Sequence, residues 1–139
     1  MQNPQQSRIV LVTGASLGIG ADIARQLSGP DTHVVAAQVA DGTRAAELID
    51  NVAQRFGRLD TLILNASTAL GRDADARYAL SLNRDAQRRL VELALPLMPA
   101  GGHIVFVTSH QAHFYPNKAV RKGYATVAAS LRAGETALY

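Results

Sequence analysis

Thr13-Gly14-Ala15-Ser16-Leu17-Gly18-Ile19-Gly20 follows the apolar run Ile9-Val10-Leu11-Val12 and leads into a helix-patterned stretch. A strand that ends in glycines and turns straight into a helix is a phosphate cradle. The glycines permit a tight turn and let a diphosphate approach the backbone. The helix N-terminus offers free N–H groups and a partial positive charge. Glycine at 14, 18 and 20 is a spacing variant of the dinucleotide-binding fingerprint. The competing reading is a glycine-rich turn with no ligand, and these eight residues alone leave it open.

Outward from this turn the chain alternates strand and helix patterns. Ile19, Ile23, Ala24 and Leu27 form a helical stripe that Ser28-Gly29-Pro30-Asp31 stops. Val34 to Val39 reads as a buried strand ending at Asp41-Gly42, and Thr43 can cap the helix that follows. That helix carries Ala46, Leu48, Ile49, Val52, Ala53 and Phe56, with Gly57-Arg58-Leu59-Asp60 as its exit. Leu62-Ile63-Leu64 is a short strand closed by Asn65-Ala66-Ser67, and a long helix is expected from Asp75 to Leu97. His103 to Ser109 is the fourth strand, His110 to Gly123 a loop, and Tyr124 to Tyr139 the last helix. Continuous apolar strands between helices predict one α/β domain over residues 1–139, a doubly wound parallel sheet in three layers.

Composition narrows the class. The chain has 139 residues, 47% hydrophobic and 18% charged, which suits one globular domain with a real core. It has no cysteine, which excludes disulfides and thiolate metal sites and leads us to expect a cytoplasmic protein. Met1 to Ser7 lacks the apolar stretch of a signal peptide, no run approaches membrane-spanning length, and no membrane partner is expected. The net charge is +3 and the pI near 9.7, but the arginines are scattered apart from Arg84, Arg88 and Arg89. A solvated helix face explains that group better than a nucleic-acid stripe, so no nucleic acid is expected.

Thr13-Gly14-x-x-x-Gly18-Ile19-Gly20, the passage Arg55 to Asp60, the strand Leu62 to Ser67, Ser81-Leu82-Asn83 and Val105 to Ser109 occur in an order that resembles the short-chain dehydrogenase/reductase family. The likeness runs nearly end to end and implies a Rossmann-like fold. It also implies NADP or NAD as cofactor, an alcohol or carbonyl substrate of small size, and a homo-oligomer, dimer or tetramer. By the same resemblance, Gly14, Ser16, Leu17, Gly18, Ile19, Gly20, Gln38, Val39, Asn65, Ala66 and Ser67 bind the cofactor. Ser109 and Tyr124 are the implied catalytic residues, with Asn83 where the family keeps an asparagine that supports its proton relay. No metal site is implied. Hydride transfer at a carbonyl carbon needs a proton donor at the oxygen. A tyrosine with a pKa near ~10 serves only when a neighbouring lysine lowers that value, and a serine hydroxyl binds the substrate oxygen.

The lysine is the departure. The family signature Tyr-x-x-x-Lys begun at Tyr124 puts Ala128 where lysine belongs. Aligned on Ala129-Ser130, Leu131 takes the lysine position and Val127 the tyrosine position. A subgroup whose tyrosine stands further from the lysine resembles Gly123-Tyr124 through Glu135, and there only Leu131 departs. Tyr115 with Lys118 is one residue short of the signature; Lys118 or Lys122 could substitute from the loop. Ala37-Gln38-Val39-Ala40-Asp41 resembles the family's third strand and its adenine-contacting turn, so the second strand and its helix are expected to be missing, as are the last strands. Two explanations stand, an incomplete version of a longer protein and a degenerate relative, and the loss of two segments at element-sized joints favours the first. Two functional readings result: an NAD(P)-dependent oxidoreductase, and a non-catalytic nucleotide-binding or interaction protein derived from the same fold.

Overall fold

A computed structural model describes residues 7–15, 18–38, 42–65, 76–114, 116–117 and 125–138. Four parallel strands, β1 (Arg8–Thr13), β2 (Thr32–Ala37), β3 (Thr61–Leu64) and β4 (His103–Phe106), form one sheet in the order β2-β1-β3-β4. The helices are α1 (Gly18–Leu27), α2 (Gly42–Phe56), α3 (Ala76–Leu80), α4 (Gln87–Ala94), α5 (His110–Phe114) and α6 (Ala125–Ala137). Among them none is long and apolar enough to cross a membrane.

Alternation along the strands builds two cores. Ile9, Leu11, Leu62 and Leu64 face α2 and α4, where Ala45, Ile49, Val52, Leu90 and Ala94 close over them. Val10, Val12 and Ile63 face the other way, toward Ile23 and Ala24 of α1. Each fully buried leucine contributes about 1.5–3 kcal/mol, so Leu11, Leu59, Leu62, Leu64 and Leu90 anchor the first face. At the amino ends of the strands, Asp60 ties the sheet together. Its carboxylate accepts from the Ile9 N–H at 2.7 Å and from Arg58 at 3.2 Å, and its carbonyl accepts from the His103 N–H at 3.0 Å.

Several expectations need correction. The second strand spans 32–37, not 34–39, and it pairs with β1. α2 begins at Gly42, ahead of the Thr43 expected to cap it. Ile19 and Leu27 of the α1 stripe stay exposed; the helix packs through Gly20, Ile23 and Ala24. The long helix is interrupted by a π-helical turn over Ser81–Ala86, and Pro96 tightens its end into a 3-10 turn, Leu95–Leu97. β4 stops at Phe106, which leaves Ser109 outside the strand, and the loop expected from His110 contains α5.

Candidate functional site

The carboxyl ends of β1, β2 and β3 converge on the glycine turn. Gly14 and Gly18 have φ of 64° and 62°, a left-handed conformation that side chains resist. Among the described residues nothing lies within 4 Å of where a Cβ on Gly18 would stand, so they leave the turn open above that residue. Gly20 does the opposite. A Cβ there would run into the Gly14 carbonyl oxygen and the Asn65 amide nitrogen, so this glycine lets α1 close down on the strand ends.

Asn65 clamps the turn from the β3 side. Its backbone N–H donates to Thr13 Oγ1 and its Nδ2 to the Gly14 carbonyl, both at 3.1 Å. From the β2 side, the Gly14 N–H donates to the Ala37 carbonyl at 2.9 Å. Gly14, Gly18, Ile19, Gly20, Gln38 and Asn65 are thereby brought to one end of the sheet. That end is the crevice where chain connections diverge to either side of β1 and where such sheets bind nucleotides. Ser16, Leu17, Val39, Ala66 and Ser67, expected in the same site, lie outside the described residues.

Of the expected catalytic residues, Ser109 and Asn83 lie among the described residues. Ser109 precedes α5, and its carbonyl accepts from the N–H groups of Ala112 and His113 at 3.0 and 3.1 Å. It lines a cleft of about 620 Å³ together with the apolar Ile104, Phe106 and Leu138 and the polar Thr108, His113 and Glu135. Thr108 Oγ1 donates to Glu135 Oε1 at 2.6 Å, and Arg132 meets Oε2 at 3.4 Å, which holds this carboxylate in place. Tyr124, Lys118 and Lys122 lie outside the described residues. Leu131 does not face the cleft as a polar group would. It is 4% exposed and packs with Ala112 and Phe106 in a small apolar cluster.

Asn83 is fully buried in the π-helical turn, and its Nδ2 donates to Ser130 Oγ of α6 at 2.8 Å. Its Oδ1 is buried with no hydrogen-bond partner among the described residues. The partnership with Ser130 was not foreseen from sequence, nor was the approach of α6 at Gly134, where Asn83 leaves no room for a Cβ. A glycine inside a helical pattern was the one available signal, since it marks close packing. Ser130→Ala should cost about 1–3 kcal/mol, because the Asn83 amide would be buried without its acceptor. Urea denaturation reads this as a lower midpoint at unchanged slope; an unchanged midpoint would show that Asn83 finds another acceptor. The arginine group is locally compensated: Arg84 with Asp85 at 2.8 Å, Arg88 with Glu92 at 3.1 Å. The Asp85 hydrogen bond holds the Arg84 pKa above its ordinary value.

A family model described as enoyl-(acyl carrier protein) reductase matches residues 10–133. Human carbonyl reductase (NADPH) 3 is 31% identical, over 76% of this chain and 50% of its own length. The chain belongs to the short-chain dehydrogenase/reductase family. A 1-cyclohexenylcarbonyl-CoA reductase of Streptomyces collinus is 28% identical over 88% of the chain and 56% of its own length. Among solved structures, the short-chain dehydrogenase of Burkholderia cenocepacia in complex with NADP is 28% identical with a TM-score of 0.76, covering 94% of this chain and 65% of that one. The Serratia marcescens short-chain dehydrogenase/reductase is 27% identical with a TM-score of 0.77, covering 94% and 69%. The chain thus spans about half the length of the curated relatives it matches. The family to which it belongs is one of NAD(P)-dependent oxidoreductases.

Proposed function

We propose that this short-chain dehydrogenase/reductase binds NAD(P) over the glycine turn and serves an oxidoreductase acting on a small alcohol or carbonyl compound. One observation carries the reading: an open left-handed Gly18 at the head of α1, four residues past Gly14, which is itself hydrogen-bonded to Ala37 at the exit of β2 and to Asn65 at the exit of β3. The residues fit a diphosphate there, since the turn leaves space at Gly18 and the α1 N-terminus carries partial positive charge. The cofactor, when bound, supplies the hydride. Gly14, Gly18 and Asn65 shape its seat, Gln38 borders it, and Ser109 offers a hydroxyl to the substrate oxygen, with Tyr124 as proton donor. Ser16, Leu17, Ile19, Gly20, Val39, Ala66 and Ser67 complete the proposed cofactor set. Asn83 supports the arrangement from the interior.

A second reading, nucleotide binding without turnover, is favoured by Leu131. Where the family resemblance calls for a charged donor, this chain places an apolar side chain in an apolar cluster. A cytoplasmic homo-oligomer is part of the first reading; light scattering behind size exclusion checks the assembly.

The experiment is equilibrium binding of NADH and NADPH to the protein and to Gly18→Val. The variant should lose binding at least about tenfold, because a β-branched side chain fills the seat, while left-handed strain costs the fold only about 1–2 kcal/mol. Undiminished affinity in Gly18→Val would overturn the site. Turnover of ketones or secondary alcohols supports the oxidoreductase, and tight binding with none supports the second reading.

A further inference from the structure

Four polar residues line the cleft at the end of β4: Thr108, Ser109, His113 and Glu135. Two of them are committed to each other, since Thr108 donates to Glu135 at 2.6 Å and Arg132 meets the same carboxylate. His113 is not. It is exposed, its ring stands edge-on to Phe114 at 5.0 Å, and its side chain makes no hydrogen bond or ion pair among the described residues. The His113 N–H donates to the Ser109 carbonyl at 3.1 Å, so the two residues stand one helical turn apart. Residues at that spacing carry neighbouring side chains. Ser109 and His113 therefore open on one cleft, beside the apolar Ile104, Phe106 and Leu138.

We infer that His113 is a second proton-transfer group of this cleft, acting on the substrate oxygen that Ser109 binds. The inference rests on the oxidoreductase reading above. A tyrosine holds its proton up to a pKa near ~10 unless a cation lowers that value, and Leu131 carries no charge. Histidine exchanges a proton near neutral pH without such help. In the reducing direction, hydride from the dinucleotide forms the new C–H bond while the carbonyl π pair moves onto oxygen. The imidazolium N–H of His113 gives that oxygen its proton, which leaves an alcohol, an oxidised nicotinamide and a neutral imidazole. Water returns the proton, because the side chain is exposed. Oxidation of an alcohol runs the same path backwards, with neutral imidazole taking the hydroxyl proton.

The test uses cyclohexanone and cyclohexanol, whose rings suit the apolar wall of the cleft, with NADH and NADPH as hydride donors. Steady-state reduction by the 139-residue protein is compared with His113→Gln, His113→Ala and, as a control that does not line the cleft, His103→Gln. His113→Gln should lower kcat by about 100-fold or more, with KM and dinucleotide affinity within about threefold of native. Added imidazole should recover about tenfold of the loss in His113→Ala, which a merely structural histidine would not show. His103→Gln should stay within about twofold of native. Without any dinucleotide, cyclohexanol should move the ring-proton NMR signals of His113, assigned by their absence from His113→Gln. Thermal melts check that the exposed position tolerates each change. A kcat kept within about threefold in His113→Gln, or His113 signals that ignore cyclohexanol, would overturn the role of His113 and leave the oxidoreductase reading standing. A native protein that binds dinucleotide yet turns over no ketone or secondary alcohol supports the non-catalytic reading and removes this inference with the first.

Discussion

Lysine at position 131 is expected to destabilise the protein by about 3–5 kcal/mol at neutral pH, and not to restore a proton-transfer site. Leu131 is 4% exposed among Ala112 and Phe106, so an ammonium placed there loses its hydration. The carboxylate nearest in sequence on α6, Glu135, is already engaged by Thr108 and Arg132. Burial lowers the pKa of such a lysine below its unfolded value near ~10.4. The sign of the pH dependence follows. Between the lowered folded pKa and the unfolded one, the unfolded chain binds more protons, so stability rises with pH, by at most about 1.4 kcal/mol per unit. Denaturation midpoints of Leu131→Lys at pH 7 and pH 9.5 should therefore approach the native value from below. Leu131→Met, which keeps volume and apolarity, should cost less than about 1.5 kcal/mol. A lysine variant as stable as the native protein at pH 7 would mean that the side chain reaches solvent or a carboxylate. The family's lysine role would then be open to this chain, and an assay of that variant against ketones would show turnover.

Gly134→Ala should be the second large loss, about 3 kcal/mol, although alanine is the better helix former by about 1 kcal/mol. The added methyl would overlap the Asn83 carbonyl oxygen and stand 3.1 Å from the Phe106 ring. The first neighbour is backbone within a packed turn and the second is the partly buried ring of Phe106 on β4, so α6 itself must back away. That withdrawal also stretches the bond from Asn83 to Ser130. Scanning calorimetry should find the melting temperature lowered by roughly 10 °C. Gly29→Ala, where nothing among the described residues lies within 4 Å, is the control and should be near neutral. A stabilised Gly134→Ala would show that α6 does not lie so close to the turn.

The alternation of strand and helix, the apolar faces of β1, β3 and α2, and the glycine turn were legible in the residues themselves. Each depends on local rules, a period of two or 3.6 and a left-handed turn that suits glycine, which act within a few residues of chain. The family resemblance likewise singled out Gly14, Gly18, Asn65 and Gln38, and these do gather at one end of the sheet. Which neighbour β2 would pair with was not legible, because an apolar run of strand type pairs equally well with any open edge. Tertiary packing put it against β1 and so moved Gln38 beside Gly14. The same holds for Asn83 and Ser130, 47 residues apart in sequence and 2.8 Å apart in the fold. It holds too for Leu131, an apparent gap in a catalytic motif until its burial against Phe106 shows what the leucine does. Local propensity names the elements, but burial and pairing are decided only when distant segments compete for the same surface.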